Sequence, residues 1–389
     1  MRILYLTFYF EPDLCAGSFR NTPLAKELAR QALIKDIEVI VFSTQPNRYS
    51  SFKRSADNTN IVNNLIIKRV KVIKHQNGFL DQILSFMSYY SKVIREVRNE
   101  SYDLVFASSS RLFTAYLGYK IAKRKKIPLY LDIRDLFTDT MKDLLKIPVI
   151  KKPVLMYLEY LEKMIFSYAI HINLISSGFN PHISRFKIKN ISNFSHGVDP
   201  GFVNLVSDKK LNPDHYVITY AGNIGDGQGL HKIVPEAAEL LGNNYKFRIV
   251  GDGGQINKLR EAVNNKNLTN VSIEKPVSRD ELIGIYSDSD YFFIHLNDFS
   301  AFKKVLPSKI FELGALNRPL IAGVEGFARE FMISNLTNII LFEPGNAIEM
   351  VSKIKTFKYK NFKRADFISR YSRDNINHEL ASSILSYIT

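Results

Sequence analysis

Lys303, Lys304, Pro307, Ser308, Lys309 and Glu312 lie within ten residues of one another, and together they could hold a nucleotide. Pro307 or Ser308 suits a helix start, where unpaired backbone N–H groups face outward and attract an anion. The three lysines would crowd the same place. Glu312 stands one helical turn beyond Ser308, on the same face. A carboxylate there can accept two hydrogen bonds from a ribose diol while the helix end and the lysines hold phosphates. The plainer alternative is a solvated glutamate among surface lysines.

Two glycine-rich turns point the same way. Gly222, Gly225, Gly227 and Gly229 place four glycines in eight residues, with Asn223 among them, directly after an apolar run. Such a loop can lie flat against an anion. Gly251, Asp252, Gly253 and Gly254 end the next apolar run, so the two loops would share one edge of a sheet. Neither has the Walker lysine or the G-x-G-x-x-G spacing. A third turn, residues 11–20, is either an ordinary strand–helix connection or a ligand loop. In the second case Gly17 would allow close approach and Arg20 would add positive charge. Asp288-Ser289-Asp290 has the D-x-D form of a metal site but falls between a helix and a strand, and no metal is expected there. His196-Gly197-Val198-Asp199 reads as a hinge turn rather than a catalytic His–Asp pair. Cys15, the single cysteine, permits no disulfide framework within a monomer and reads as packing.

These turns need elements to hold them. Short apolar runs at 2–8, 37–42, 66–72, 104–108 and 129–133 read as strands, and 22–31, 79–100 and 113–124 as helices. A second series follows, with strands at 217–221, 246–250, 271–274, 291–295 and 319–322. Helices at 232–241, 256–264, 280–286 and 308–315 separate them. Strands alternating with helices predict parallel sheets built from βαβ units. The stretch 188–213, rich in Asn, Ser, Gly and Asp, reads as a linker. The expected organisation is therefore α/β, with doubly wound Rossmann-like domains over 1–200 and 201–370, their strand ends facing across a cleft. Residues 371–389 form a last helix that could pack back on the first domain.

Composition narrows the setting. The chain has 389 residues, 46% hydrophobic and 23% charged, enough for two or three cores. Its first 200 residues hold 30 Lys and Arg against 17 Asp and Glu, so most of the net charge of +15 lies there. Solubility, nucleic acid, an anionic membrane surface or an anionic ligand could explain that half. No zinc-finger spacing or RNP-type signature supports nucleic acid, and none is expected as a partner. The apolar start stops at Glu11-Pro12-Asp13, too short for a signal peptide. Residues 154–176 come nearest to a membrane span, but Glu159, Glu162, Lys163 and His171 interrupt them. A cytoplasmic protein, peripheral on the inner membrane face, is expected.

The chain resembles the retaining glycosyltransferases of family 4 over essentially its whole length. The resemblance is carried by His196–Asp199, the loop 220–230, Ile249-Val250-Gly251-Asp252-Gly253 and residues 278–290. Its most specific part is Leu306-Pro307-Ser308-Lys309-Ile310-Phe311-Glu312 through Pro319-Leu320-Ile321-Ala322. The subgroup it looks most like adds amino- or deoxy-sugars in O-antigen and capsule assembly. It implies a GT-B fold, a UDP-sugar donor, an undecaprenyl-diphosphate-linked saccharide acceptor, retention of configuration and no cofactor or metal. Glu312 matches the second Glu of the family's E-x7-E motif, which holds the donor ribose, whereas the first falls on Lys304. The usual Arg and Lys of the glycine loop fall on Asn223 and Gln228, so both cations are missing. Lys303, Lys304, Lys309, Arg20 and Arg134 are the candidates to replace them. Where the family often has a histidine stand Ser108, Ser109 and Ser110, and Asp135 is the residue expected to act from the first domain.

With that resemblance, the expected chemistry is transfer through an oxocarbenium-like transition state, with the leaving diphosphate stabilised by Lys304, Lys309 and the helix start. The rivals are a sugar-nucleotide epimerase of the same architecture, a non-catalytic nucleotide-sugar-binding protein and, on charge alone, a nucleic-acid-binding protein.

Overall fold

A computed structural model describes residues 1–47, 55–73, 79–109, 112–145, 147–203 and 215–388. The chain divides into two units, Met1–His196 with Asp374–Thr389, and Gly197–Arg373. Among the described residues no helix is long and apolar enough to cross a membrane.

The first unit runs β1 (Arg2–Leu6), α1 (Ala16–Leu33), β2 (Glu38–Thr44), β3 (Thr59–Val62), β4 (Leu65–Val70), α2 (Phe79–Val97) and β5 (Leu104–Ser109). It continues through α3 (Leu112–Lys125), β6 (Leu129–Ile133), α4 (Phe137–Leu144), α5 (Pro148–Tyr168), β7 (His171–Leu174), α6 (Asn180–Ile183) and β8 (Ile191–Ser192). Its sheet has the order β3-β4-β2-β1-β5-β6-β7-β8. Every neighbouring pair is parallel except β3 with β4. The central strands are continuous apolar runs because helices cover both faces. Leu24, Ala25, Leu28, Ala29 and Ala32 form the inward stripe of α1 and pack on Ile3, Tyr5, Val39 and Val41. On the other face α2, α3 and α5 lie side by side.

The helix expected at 22–31 begins earlier, at Ala16, and contains Pro23. The strand expected at 66–72 is half of a hairpin whose turn places Asn63 at φ 53°.

In the second unit come α7 (Pro200–Val203), β9 (Tyr216–Asn223), α8 (Leu230–Leu241), β10 (Tyr245–Asp252), α9 (Ile256–Asn265), β11 (Val271–Glu274), α10 (Arg279–Ser287) and β12 (Tyr291–His295). There follow α11 (Ser308–Gly314), β13 (Leu320–Gly323), α12 (Phe327–Asn335), β14 (Ile339–Phe342), α13 (Ala347–Thr356) and α14 (Ala365–Arg370). Six parallel strands take the order β11-β10-β9-β12-β13-β14. The order reverses at β9 and β12, the crevice where doubly wound sheets bind ligands. Asp290 accepts the Val217 N–H at 2.8 Å and Ser289 donates to Thr219 Oγ1 at 2.6 Å, so the D-x-D segment fastens β12 to β9.

The last helix, α15 (Arg373–Leu385), leaves the second unit and puts Leu380, Ala381, Ile384 and Leu385 into the core of the first. Gly197 and Arg373, the ends of the second unit, are held near each other. Val198 donates to Tyr371 O at 2.6 Å, Arg373 N–H donates to Val198 O at 2.9 Å, and Asp199 takes the guanidinium groups of Arg279 and Arg373. His196 lies on the first-unit side of this junction and Asp199 on the second. Of the expected linker, 204–213 lies outside the described residues.

Candidate functional site

The C-terminal ends of β9 and β10 run in register to their last residues, pairing Gly222 with Gly251 and Asn223 with Asp252. The two glycine turns are thus neighbours. Their backbones touch so closely that a Cβ on Gly251 would sit 1.9 Å from Gly222 O. No side chain fits there. Gly229 is needed for a second reason: it opens α8 with φ 58°, a conformation costly for residues bearing a Cβ. Gly227 lies beneath the Phe302 ring.

Polar groups complete the loop. Asn223 Nδ2 donates to Gln228 Oε1 at 2.8 Å, and Gly225 N–H donates to the same oxygen at 3.2 Å. Asp252 Oδ1 accepts the Gly253 N–H at 2.7 Å. From β12, Asn297 Nδ2 donates to Asp226 O at 3.1 Å and its backbone N–H donates to Gly227 O at 2.8 Å. His295, buried at the end of β12, bonds Gln228 O through Nδ1 at 2.7 Å and accepts the Gly345 N–H on Nε2 at 2.9 Å. Those partners demand the neutral ring protonated on Nδ1, and burial pushes its pKa down to about 4. His295 was missed as a site residue, although a polar residue closing the apolar strand 291–295 was a usable signal.

Helix α11 starts at Ser308 after Pro307, where the sequence predicts it. One turn on, Glu312 is buried and accepts two hydrogen bonds on Oε1, from Tyr286 Oη at 2.6 Å and Lys309 Nζ at 2.7 Å. Burial disfavours its charge, but the Lys309 ammonium, these two bonds and the nearby Arg279 outweigh that and hold the carboxyl below its usual range. Oε2 bonds to none of the described residues, which leaves it able to accept a ligand hydroxyl. Lys309 also borders the glycine loop, its Cε 3.6 Å from the position a Gly222 Cβ would take. Gly222, Asn223, Gly225, Gly251, Asp252, Ser308, Lys309 and Glu312 therefore gather at one edge of the sheet. Tyr286 joins them, and nothing in its spacing announced it.

The other lysines of the segment go elsewhere. Lys303 reaches Glu325 at 2.9 Å and Asp298 at 3.7 Å, so it is engaged with two exposed carboxylates rather than with Glu312. Lys304 ends the short 3-10 turn before Val305 and is partly buried.

In the first unit Arg20 departs from expectation. It is buried, forms a two-pronged pair with Asp132 at 2.7 and 2.9 Å, and donates to the carbonyls of Ser195 and Phe194. Its charge is spent inside the unit and cannot serve a phosphate. Ser108 donates to the same Asp132 at 2.8 Å, and Ser110 lies outside the described residues. Arg134 instead packs over Gly17, with Nη1 2.9 Å from where a Cβ would stand. Its Nε is buried and bonds to none of the described residues, and burial pulls the guanidinium below its ordinary pKa. Asp135 follows it between β6 and α4, partly buried.

Two doubly wound parallel-sheet units, the second with its polar groups gathered at the switch point, constitute a GT-B fold, and solved structures agree. HepE of Anabaena in complex with UDP-glucose matches 99% of this chain and 100% of its own, at 15% identity and a TM-score of 0.67. WaaG, a glycosyltransferase involved in lipopolysaccharide biosynthesis, matches 98% of this chain and 95% of its own, at 11% identity and a TM-score of 0.63. In sequence, residues 204–374 match the family described as Glycosyl transferases group 1, a stretch that falls almost wholly within the second unit. A glycosyl transferase proposed for colanic acid biosynthesis, WcaI of Escherichia coli (strain K12), is 28% identical over 137 residues. That match spans 35% of this chain and about a third of WcaI, 33%.

Proposed function

We propose that the protein is a retaining, metal-independent glycosyltransferase of the family 4 kind. It would move an amino- or deoxy-hexose from a UDP-sugar to an undecaprenyl-diphosphate-linked saccharide on the inner membrane face, in surface polysaccharide synthesis. The observation that carries this is Glu312: a buried, ionised carboxylate with one oxygen left over, set beside two abutting glycine turns at the sheet's switch point. Oε2 would take the ribose hydroxyls. Lys309, already ordered by Glu312 and Tyr286, would turn part of its charge to the diphosphate as negative charge builds there. Arg134 is the first-unit cation best suited to an anionic substrate group, since Arg20 is neutralised by Asp132. UDP rather than another nucleotide is supported by the HepE complex, and polysaccharide synthesis by the similarity to WcaI and WaaG.

Thermal-shift titration with UDP, GDP, ADP and TDP tests the donor site. UDP should raise Tm selectively, and Glu312→Gln, which keeps the shape but removes the charge, should abolish most of the shift. No stabilisation of the wild type by any of the four nucleotides would sink the proposal.

The Asn223–Gln228 bond favours one alternative, a nucleotide-sugar-binding protein without turnover. The loop closes on itself where the resemblance expects two cations to close on a diphosphate. Binding without sugar release or transfer on any lipid-linked acceptor would select that reading.

A further inference from the structure

Helix α5 presents an apolar row to solvent. Its inward face is made by Leu158, Leu161, Ile165 and Phe166. The opposite row, Val149, Pro153, Met156 and Tyr160, advances by four, three and four residues, the spacing of one helical face. Val149 is 83% exposed, Met156 and Tyr160 62% each, and the adjoining Tyr157 58%. Scattered surface apolar residues are ordinary, but a contiguous row on one helix marks a contact surface.

The charge around the row says what it contacts. Lys151, Lys152 and Lys163 belong to α5, and among the described residues no carboxylate pairs with them. Helix α3 lies alongside, joined through the edge-to-face rings of Tyr119 and Tyr168 at 5.3 Å. It adds the exposed Lys120 and Lys123, and Lys123 lies within electrostatic reach of Tyr160. Of the two acidic groups on α5, Glu159 is paired with Lys142 at 3.4 Å and Glu162 is buried against His182 at 3.0 Å. Aliphatic and tyrosine side chains fringed by lysines, three of them without a carboxylate partner among the described residues, fit a phospholipid headgroup boundary. The apolar groups enter the acyl region while the lysine stems reach back to phosphates.

We infer that the outer face of α5 is the surface by which this protein docks on anionic bilayers, with Met156 and Tyr160 inserted and the lysines of α3 and α5 on the headgroups. This deepens the membrane-attached reading above and names its element.

The chain contains no tryptophan, so Met156→Trp makes a single fluorescent reporter in the otherwise intact protein. Vesicles of phosphatidylcholine with phosphatidylglycerol should shift its emission to the blue and carry the protein upward in flotation. Pure phosphatidylcholine should do so weakly. Met156→Glu with Tyr160→Glu should lower partitioning by about tenfold or more, since each side chain loses its apolar burial. The UDP-induced Tm shift should stay as in wild type. An unmoved emission spectrum in vesicle-bound protein would overturn the proposal, as would undiminished flotation of the double variant. So would a dimer in vesicle-free solution that the double variant dissociates, because a second copy would then cover the face. Vesicle binding with no nucleotide response would leave this surface standing and remove the donor-site reading, and the reverse result would do the opposite.

Discussion

His295 and His171 are both buried as neutral rings, with burial pushing each pKa down to about 4. Unfolded, each would titrate near the usual value of about 6.5. Between pH 6.5 and 4 the unfolded chain binds a proton that the folded ring refuses, so stability must fall as pH falls through that window. The slope is about 1.4 kcal/mol per pH unit for each ring. His182 works in the other direction. Burial alone would lower its pKa, but Asp139 and Glu162 hold it protonated above the ordinary value. Its contribution is complete below the unfolded pKa and is lost as pH rises through the folded one. Denaturant unfolding at several pH values should therefore show a declining second-unit transition toward pH 4, and His295→Gln should flatten it by about one proton. The Arg20–Asp132 pair lives at the same scale. A buried guanidinium without its carboxylate is far costlier than the pair, so Arg20 is better understood as a strut beneath β1 and β6 than as a ligand.

At the scale of elements, the glycine turns after β9 and β10 owe their shape to contact between backbones. Ala at Gly251 would force two registered strands apart, because its Cβ would fall 1.9 Å from Gly222 O. We expect Gly251→Ala to destabilise the second unit by about 1–3 kcal/mol and to abolish the UDP-induced Tm shift. Gly254, with nothing within 4 Å of its would-be Cβ, should accept alanine without either effect. Calorimetry of both variants with and without UDP decides it. Equal behaviour of the two would show that the close approach has no role in binding. The loop itself is closed by amides rather than cations. Asn223 and Gln228 satisfy each other without an anion, whereas arginine and lysine there would repel until a diphosphate arrived.

At the scale of the molecule, the chain leaves its first unit once and returns to it for α15. Leu380, Ala381, Ile384 and Leu385 complete the core begun by α1 and the β1–β2 strands. Deleting a buried leucine there should lower the first unit's stability by about 2–5 kcal/mol. Leu380→Ala is thus expected to move one calorimetric transition down while the UDP-sensitive transition stays in place. A common shift of both would mean that the two units unfold as one.

The parallel sheets were legible because strands buried on both faces must be continuous apolar runs, as residues 104–108 and 291–295 are. The segment from Lys303 to Glu312 and the two glycine turns were legible because anion- and ribose-binding groups cluster locally, within one strand-to-helix connection. The β3 strand was not: four residues flanked by asparagines carry too little periodicity to separate from a turn. Helix α5 was noticed only as a weak membrane span, because apolar content does not reveal which face a neighbouring helix will cover. Tertiary structure alone decided the fates of the cations. Arg20 meets an aspartate 112 residues away, Lys309 goes to Glu312 while Lys303 goes to Glu325, and Arg134 keeps a buried nitrogen that none of the described residues bonds. Sequence determines which elements form, since propensity and burial pattern act over a few residues. Which charge is spent internally depends on partners that only chain folding brings within hydrogen-bond distance.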